Sequence, residues 1–82
     1  MKIYLVCSPR TSGFRIGGYP IVGAYGSKHA AKASAVRYAQ ALGYDIDEWT
    51  YRFTNDVLYT RQGDATTVYI ATEVVQRGAG SR

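Results

Sequence analysis

The chain has very little with which to do covalent or metal chemistry. Its 82 residues include one cysteine, Cys7, and one histidine, His29. A lone thiol cannot close an internal disulfide, and one Cys with one His cannot complete the ligand set of a structural zinc. No serine or cysteine has an identifiable base beside it, and His29 is expected on the outer side of a helix, so nucleophilic catalysis has no constellation. The expectation is a protein that is not an enzyme and carries no cofactor. Asp45, Asp47 and Glu48 form the one acidic cluster. On a strand, Asp45 and Asp47 could share a magnesium ion, but such a cluster after a helix is more often a solvated strand entry.

Long apolar runs are missing too. Nothing approaches the ~20 residues needed to span a bilayer, and the short, alternating start Met1–Cys7 does not read as a signal peptide. With the single cysteine, this predicts a cytoplasmic protein with no membrane partner.

Acid is absent from the first half of the chain. Residues 1–43 contain Lys2, Arg10, Arg15, Lys28, Lys32 and Arg37 with no Asp or Glu, whereas residues 44–82 contain six acids against four arginines. The net +4 is therefore lopsided. That asymmetry suggests a surface that attracts phosphate or an acidic partner, against the plainer reading of charges that keep a small domain soluble.

What the chain does have is one strong helical stretch, 27–43. Ser27 suits the N-cap and Gly43 the stop. Between them Ala31, Ser34, Ala35, Tyr38, Ala39 and Leu42 fall on one side, with His29, Ala33, Arg37 and Gln40 opposite. A stripe made mostly of alanine predicts a helix lying close against a sheet.

The remaining segments read as strands. Residues 2–7 alternate, with Ile3, Leu5 and Cys7 on one face and Tyr4 and Val6 on the other. Residues 8–18 form a glycine- and serine-rich tip flanked by Arg10 and Arg15, which could grip a phosphate but lacks the ending of a nucleotide-binding loop. Residues 19–25 give a second strand with Pro20 near its start; Gly23 marks either a bulge or a close approach of the helix, and the helix is preferred. A third strand is expected across 44–53, where Trp49, Tyr51 and Phe53 alternate with Thr50 and Arg52. A fourth spans 57–62 and a fifth 66–75, joined by short turns. The prediction is an α+β fold in the order ββαβββ: an antiparallel sheet of four to five strands with one helix on one face, a single domain over residues 1–76 and a flexible tail at 77–82.

One helix covers only part of a five-stranded sheet, so either the far strands twist away as a ribbon or one sheet face stays open, and an open face is expected to serve as an interface. Eight tyrosines could supply anchors for it, because tyrosine buries area yet keeps a polar tip, against the plainer reading of good strand formers that fill a thin core. The predicted partner-binding residues are Arg10, Arg15, Lys28, Lys32, Arg37, Tyr4, Tyr19 and Tyr59.

The succession KIYLVCS, GYPIVGAYGSKHAAK and ALGYDIDEWTY resembles a group of small phage and bacterial proteins. These share a tyrosine-bearing first strand, a second strand ending in glycine-aromatic, an alanine-rich helix and a D-x-x-W or E-W strand; the likeness covers residues 1–53. Size and shape are also similar to those of phage anti-CRISPR proteins, which act by occupying surfaces on CRISPR complexes. That resemblance implies an inhibitor of a host defence machinery, with a protein or ribonucleoprotein complex as partner. The run YPIVGAYGSKHAAKASAVRYA resembles integrase-arm and plant-type three-stranded DNA-binding domains as well, although strands after the helix depart from their topology. Direct DNA or RNA binding is thus the alternative, followed by a small ribonuclease working with Arg and Tyr.

Overall fold

The computed structural model describes residues 1–11, 15–16 and 18–75. The loop tip at 12–14 and the tail at 76–82, both expected to be flexible, lie outside the described residues. The elements are β1 (Lys2–Cys7), β2 (Arg15–Ile16), β3 (Tyr19–Tyr25), α1 (Lys28–Ala41), β4 (Arg52–Thr54), β5 (Val57–Tyr59) and β6 (Ala65–Val74). They build one antiparallel sheet in the order β2-β3-β1-β6-β5-β4. Setting aside the two-residue β2, the five longer strands and the helix follow the ββαβββ order that the sequence predicts.

The helix starts and stops where its capping residues dictate. Ser27 accepts from the Ala30 N–H through its hydroxyl at 3.1 Å. At the other end Gly43 takes φ +100°, so its N–H reaches the Gln40 carbonyl at 3.0 Å and the Tyr44 N–H reaches Ala39 at 3.1 Å. This paired closure satisfies two orphan carbonyls and needs the left-handed residue that glycine supplies cheaply.

Small residues then set how close α1 can lie. Ala31, Ala35 and Ala39 are fully buried against β1, β3 and β6 and share a core with Val6, Leu58, Val68 and Ile70. Val36, which the predicted stripe left out, is buried as well, because the chain after the helix folds back beside it and places Ile46 in the same core. At Gly23 the neighbour is not the helix backbone. The Tyr25 ring folds over it, so that a Cβ there would stand 2.9 Å from the Tyr25 hydroxyl, and that hydroxyl hydrogen-bonds Ser34 on α1. A register shift between Val6 and Cys7 puts a bulge beside this glycine, so the bulge reading holds and the preferred close approach of the helix is corrected.

The face away from the helix departs from the expectation of an open platform. There Leu5, Cys7, Ile21 and Ala71 are at most 8% exposed, with Ile3, Tyr19 and Tyr69 packed around them and the two tyrosine rings edge to face. Alternation along β1 feeds both layers: Val6 faces the helix while Leu5 and Cys7 face away.

The third strand is shorter than predicted. Residues 44–51 carry no strand, and pairing begins only at Arg52. β4 and β5 then form a hairpin with Thr54 opposite Val57, closed by Asn55 and Asp56 at φ 51° and 62°. Positive φ at both central residues is the turn whose twist matches the strands. Where β5 meets β6 the register shifts, and the buried Thr66 hydroxyl bridges the gap, donating to the Leu58 carbonyl at 2.9 Å and accepting from the Val68 N–H at 3.0 Å.

Candidate binding groove

The segment after the helix is held by polar bonds rather than by alternation. Ile46 is 4% exposed and pins the segment to the core, while its carbonyl accepts from the Gln40 amide at 3.1 Å. The Asp45 carbonyl accepts from the Arg61 N–H at 2.8 Å. Asp47 accepts from the N–H groups of Trp49 and Thr50 at 2.9 and 3.2 Å, which turns the chain at the point where a strand was predicted. An aspartate bonding backbone two and three residues onward is the mechanism by which this residue makes turns.

Arg61 ties the turn to the start of the β5–β6 loop. Its guanidinium donates to Asp45 at 3.2 Å and to Asp47 at 3.3 Å, and the Gln62 amide donates to the other Asp45 oxygen at 2.9 Å. Gln62 first and Arg61 second hold the Asp45 carboxyl below its ordinary pKa; for Asp47 the Trp49 N–H is the leading cause. All four carboxylate oxygens thus have protein donors, which leaves the pair ill suited to magnesium. Among the described residues no group of three or more His, Cys, Asp and Glu could hold a metal ion.

The consequence of this turn is the position of Trp49. It is 86% exposed, although the sequence pattern assigns it to a half-buried strand. It stands over a groove of about 300 Å³. One wall is the outer side of α1, with His29, Ala33 and Arg37 at successive four-residue steps; the other is Glu48, Trp49 and Tyr51. Ala33 leaves the middle of the helical wall open. His29, Arg37 and Glu48 are all exposed, so this is an open groove and not a buried catalytic pocket.

The predicted partner-binding residues do not gather into one patch. Lys28 forms an ion pair with Asp56 at 3.0 Å, which ties the helix start to the β4–β5 turn. Lys32 lies over the Phe53 ring, 5.2 Å from its centroid. Arg15 donates to the Gly18 carbonyl at 2.9 Å. Arg10 lies in the loop after β1, where the Thr67 hydroxyl first and Arg10 second draw the Tyr44 phenol below its ordinary pKa. Tyr4 packs in the helix-side core, Tyr19 on the opposite face, and Tyr59 is half-buried beside Arg61 in a smaller cleft. All eight tyrosines are half-buried, so the aromatic exterior that their number suggests is absent. Of the predicted set, Arg37 alone lines the groove, and it makes no salt bridge with any described residue.

Cys7 has no place in a site. It is fully buried, and burial pushes its thiol pKa up, the opposite of what a reactive thiol needs. Among the described residues no helix is long and apolar enough to cross a membrane. Comparison with protein-family models, curated proteins and solved structures finds no match to this chain.

The whole facing wall, Glu48, Trp49 and Tyr51, is absent from the predicted set. The signal was present in Asp47-Glu48-Trp49-Thr50: an aspartate two residues before the tryptophan favours a turn, and a turn exposes what alternation would bury.

Proposed function

We propose that this is a non-catalytic binding protein that acts by occupying a surface of a nucleic-acid-handling complex, with the groove beneath Trp49 as its anchor. The observation that carries this reading is a fully presented indole on a turn fixed by its own hydrogen bonds, beside an arginine that has no acidic partner among the described residues. Tryptophan and arginine dominate binding energy at interfaces, and a turn already ordered loses little entropy on docking. The resemblance to anti-CRISPR proteins supplies the class of partner: a ribonucleoprotein of a host defence machinery, blocked by contact and not by bond cleavage.

The test is affinity capture from a host lysate with wild type, Trp49→Ala and Arg37→Glu side by side, followed by an activity assay of the captured complex. A complex retained by wild type, lost by both variants and inhibited by the wild-type chain alone supports the reading. Equal capture by all three removes the groove as the anchor. Cleavage of RNA by the purified chain would overturn the non-catalytic assignment.

A further inference from the structure

We infer that the groove takes a single unstacked nucleobase together with its phosphate, so that what the protein grips is single-stranded nucleic acid. This deepens the proposed function and rests on it only for the biological partner; the base site stands or falls by itself.

Three features favour a base over a protein side chain. The first is the isolation of the indole. Among the described residues the other exposed large hydrophobics are Met1, Val74 and Val75, which lie together at the β1 start and β6 end. A protein interface centred on Trp49 would lack the surrounding apolar area that excludes water from an anchor. Base stacking needs only one aromatic face and tolerates a wet rim.

The second is the placement of hydrogen-bonding groups. His29 and Arg37 sit eight residues apart on α1, which at 1.5 Å rise per residue puts them roughly 12 Å apart along the groove. Arg37, which makes no salt bridge with any described residue, offers its guanidinium fork to phosphate oxygens. On the facing wall Glu48 offers a carboxylate acceptor, and the exocyclic amino group of cytosine is a natural donor to it. Stacking surface, phosphate donor and base-edge acceptor thus line one groove.

The third is size and readiness. About 300 Å³ is at the small end of ligand sites, room for one ring and its phosphate but not for a helix. The Asp47 turn holds the backbone that carries the indole in place before any ligand arrives.

Trp49 is the chain's only tryptophan, so its emission reports this site directly. The experiment titrates the full chain with an oligocytidylate of about 12 nucleotides, as DNA and as RNA, and with duplex DNA of equal length, following indole quenching and the anisotropy of a labelled strand. Saturable quenching by single strands is expected, with affinity falling roughly 3-fold per phosphate contact between about 50 and 200 mM salt. Trp49→Ala should weaken binding about 5- to 150-fold, the range of one base–aromatic stack. Arg37→Glu should weaken it roughly tenfold or more. Ala33→Leu fills the groove from the half-buried middle of the helix wall while keeping both Trp49 and Arg37 in the chain, and should block binding while circular dichroism stays unchanged.

Absence of quenching at about 50 mM salt, or wild-type affinity in both the Ala33→Leu and the Trp49→Ala variants, overturns the base site. If those variants lose a captured complex while no oligonucleotide binds, the base site falls and the surface-occupying reading survives with a protein side chain in the groove. If single strands bind and no complex is captured or inhibited, the base site holds and the inhibitor reading falls.

Discussion

Residues 19–43 and residues 44–56 are adjacent in the chain and obey different physics. In the first stretch, apolar burial decides the geometry: β3 delivers the chain to α1, and Ala31, Ala35 and Ala39 bring the helix onto the sheet with no exposed surface left. In the second, hydrogen bonds to carboxylates decide it. Asp47 turns the backbone, Arg61 clamps Asp45 and Asp47, and Ile46 is the one buried residue of the stretch, with Tyr44, Tyr51 and Phe53 packed half-buried against the core. The comparison teaches where function can sit on so small a domain. The apolar stretch uses its inner side for packing and offers only the outer side of the helix, with His29 and Arg37, whereas the polar one leaves an indole free without loosening the backbone that carries it.

The strongest test of the contrast is to disturb packing in the first stretch. Ala35 is fully buried on the helix, and leucine is nearly as good a helix former, so Ala35→Leu changes volume and little else. Overpacking should cost about 2–3 kcal/mol, read as a lower urea midpoint. A neutral result would mean the helix rides higher than its alanines suggest. A smaller loss is expected at Gly23. A Cβ there meets the Tyr25 hydroxyl at 2.9 Å and the ring at 3.0 Å, so Gly23→Ala must displace the ring and strain its bond to Ser34. The cost should be about 1–2 kcal/mol, offset in part by the stiffer unfolded chain. If Gly23→Ala proves no less stable than wild type while Tyr25→Phe is destabilised, the ring has room to move and the close contact carries no weight.

The same division explains how much the sequence revealed. Helix bounds were legible because Ser27 and Gly43 act locally, and β1, β3 and β6 because their alternation matches burial on both faces. The segment 44–51 was misread because its aromatic alternation is real, but Asp47 bonds at shorter range than any sheet partner could reach. The candidate groove was half legible. Arg37 was selected for its charge, but its partners on the facing wall come into place only when the turn brings Trp49 and Glu48 back toward the helix. Tyrosine count misled for a related reason: in so thin a core each ring serves as filling, and none is left fully presented.

The smallest effect on stability should come from the second stretch, and there the informative readout is different. Asp47→Ala removes the acceptor for two backbone N–H groups at an exposed turn, so global unfolding should shift less than in Ala35→Leu. Emission anisotropy of Trp49 should fall as the turn loosens, and partner binding should weaken with it. Acid should reproduce this loss in the wild type. The Asp45 and Asp47 carboxyls sit below their ordinary pKa in the folded chain, so folding favours their charged forms. Their contribution is therefore complete above the unfolded value, about 3.9, and disappears as the pH falls through the lower folded values. Between pH 7 and about 5 the stability gap between wild type and Asp47→Ala should stay constant, and below about 4 it should narrow. A gap that persists unchanged to about pH 2 would mean that the protonated acid holds the turn as well as the carboxylate does, and the indole would then owe its placement to Ile46 and the sheet rather than to charge.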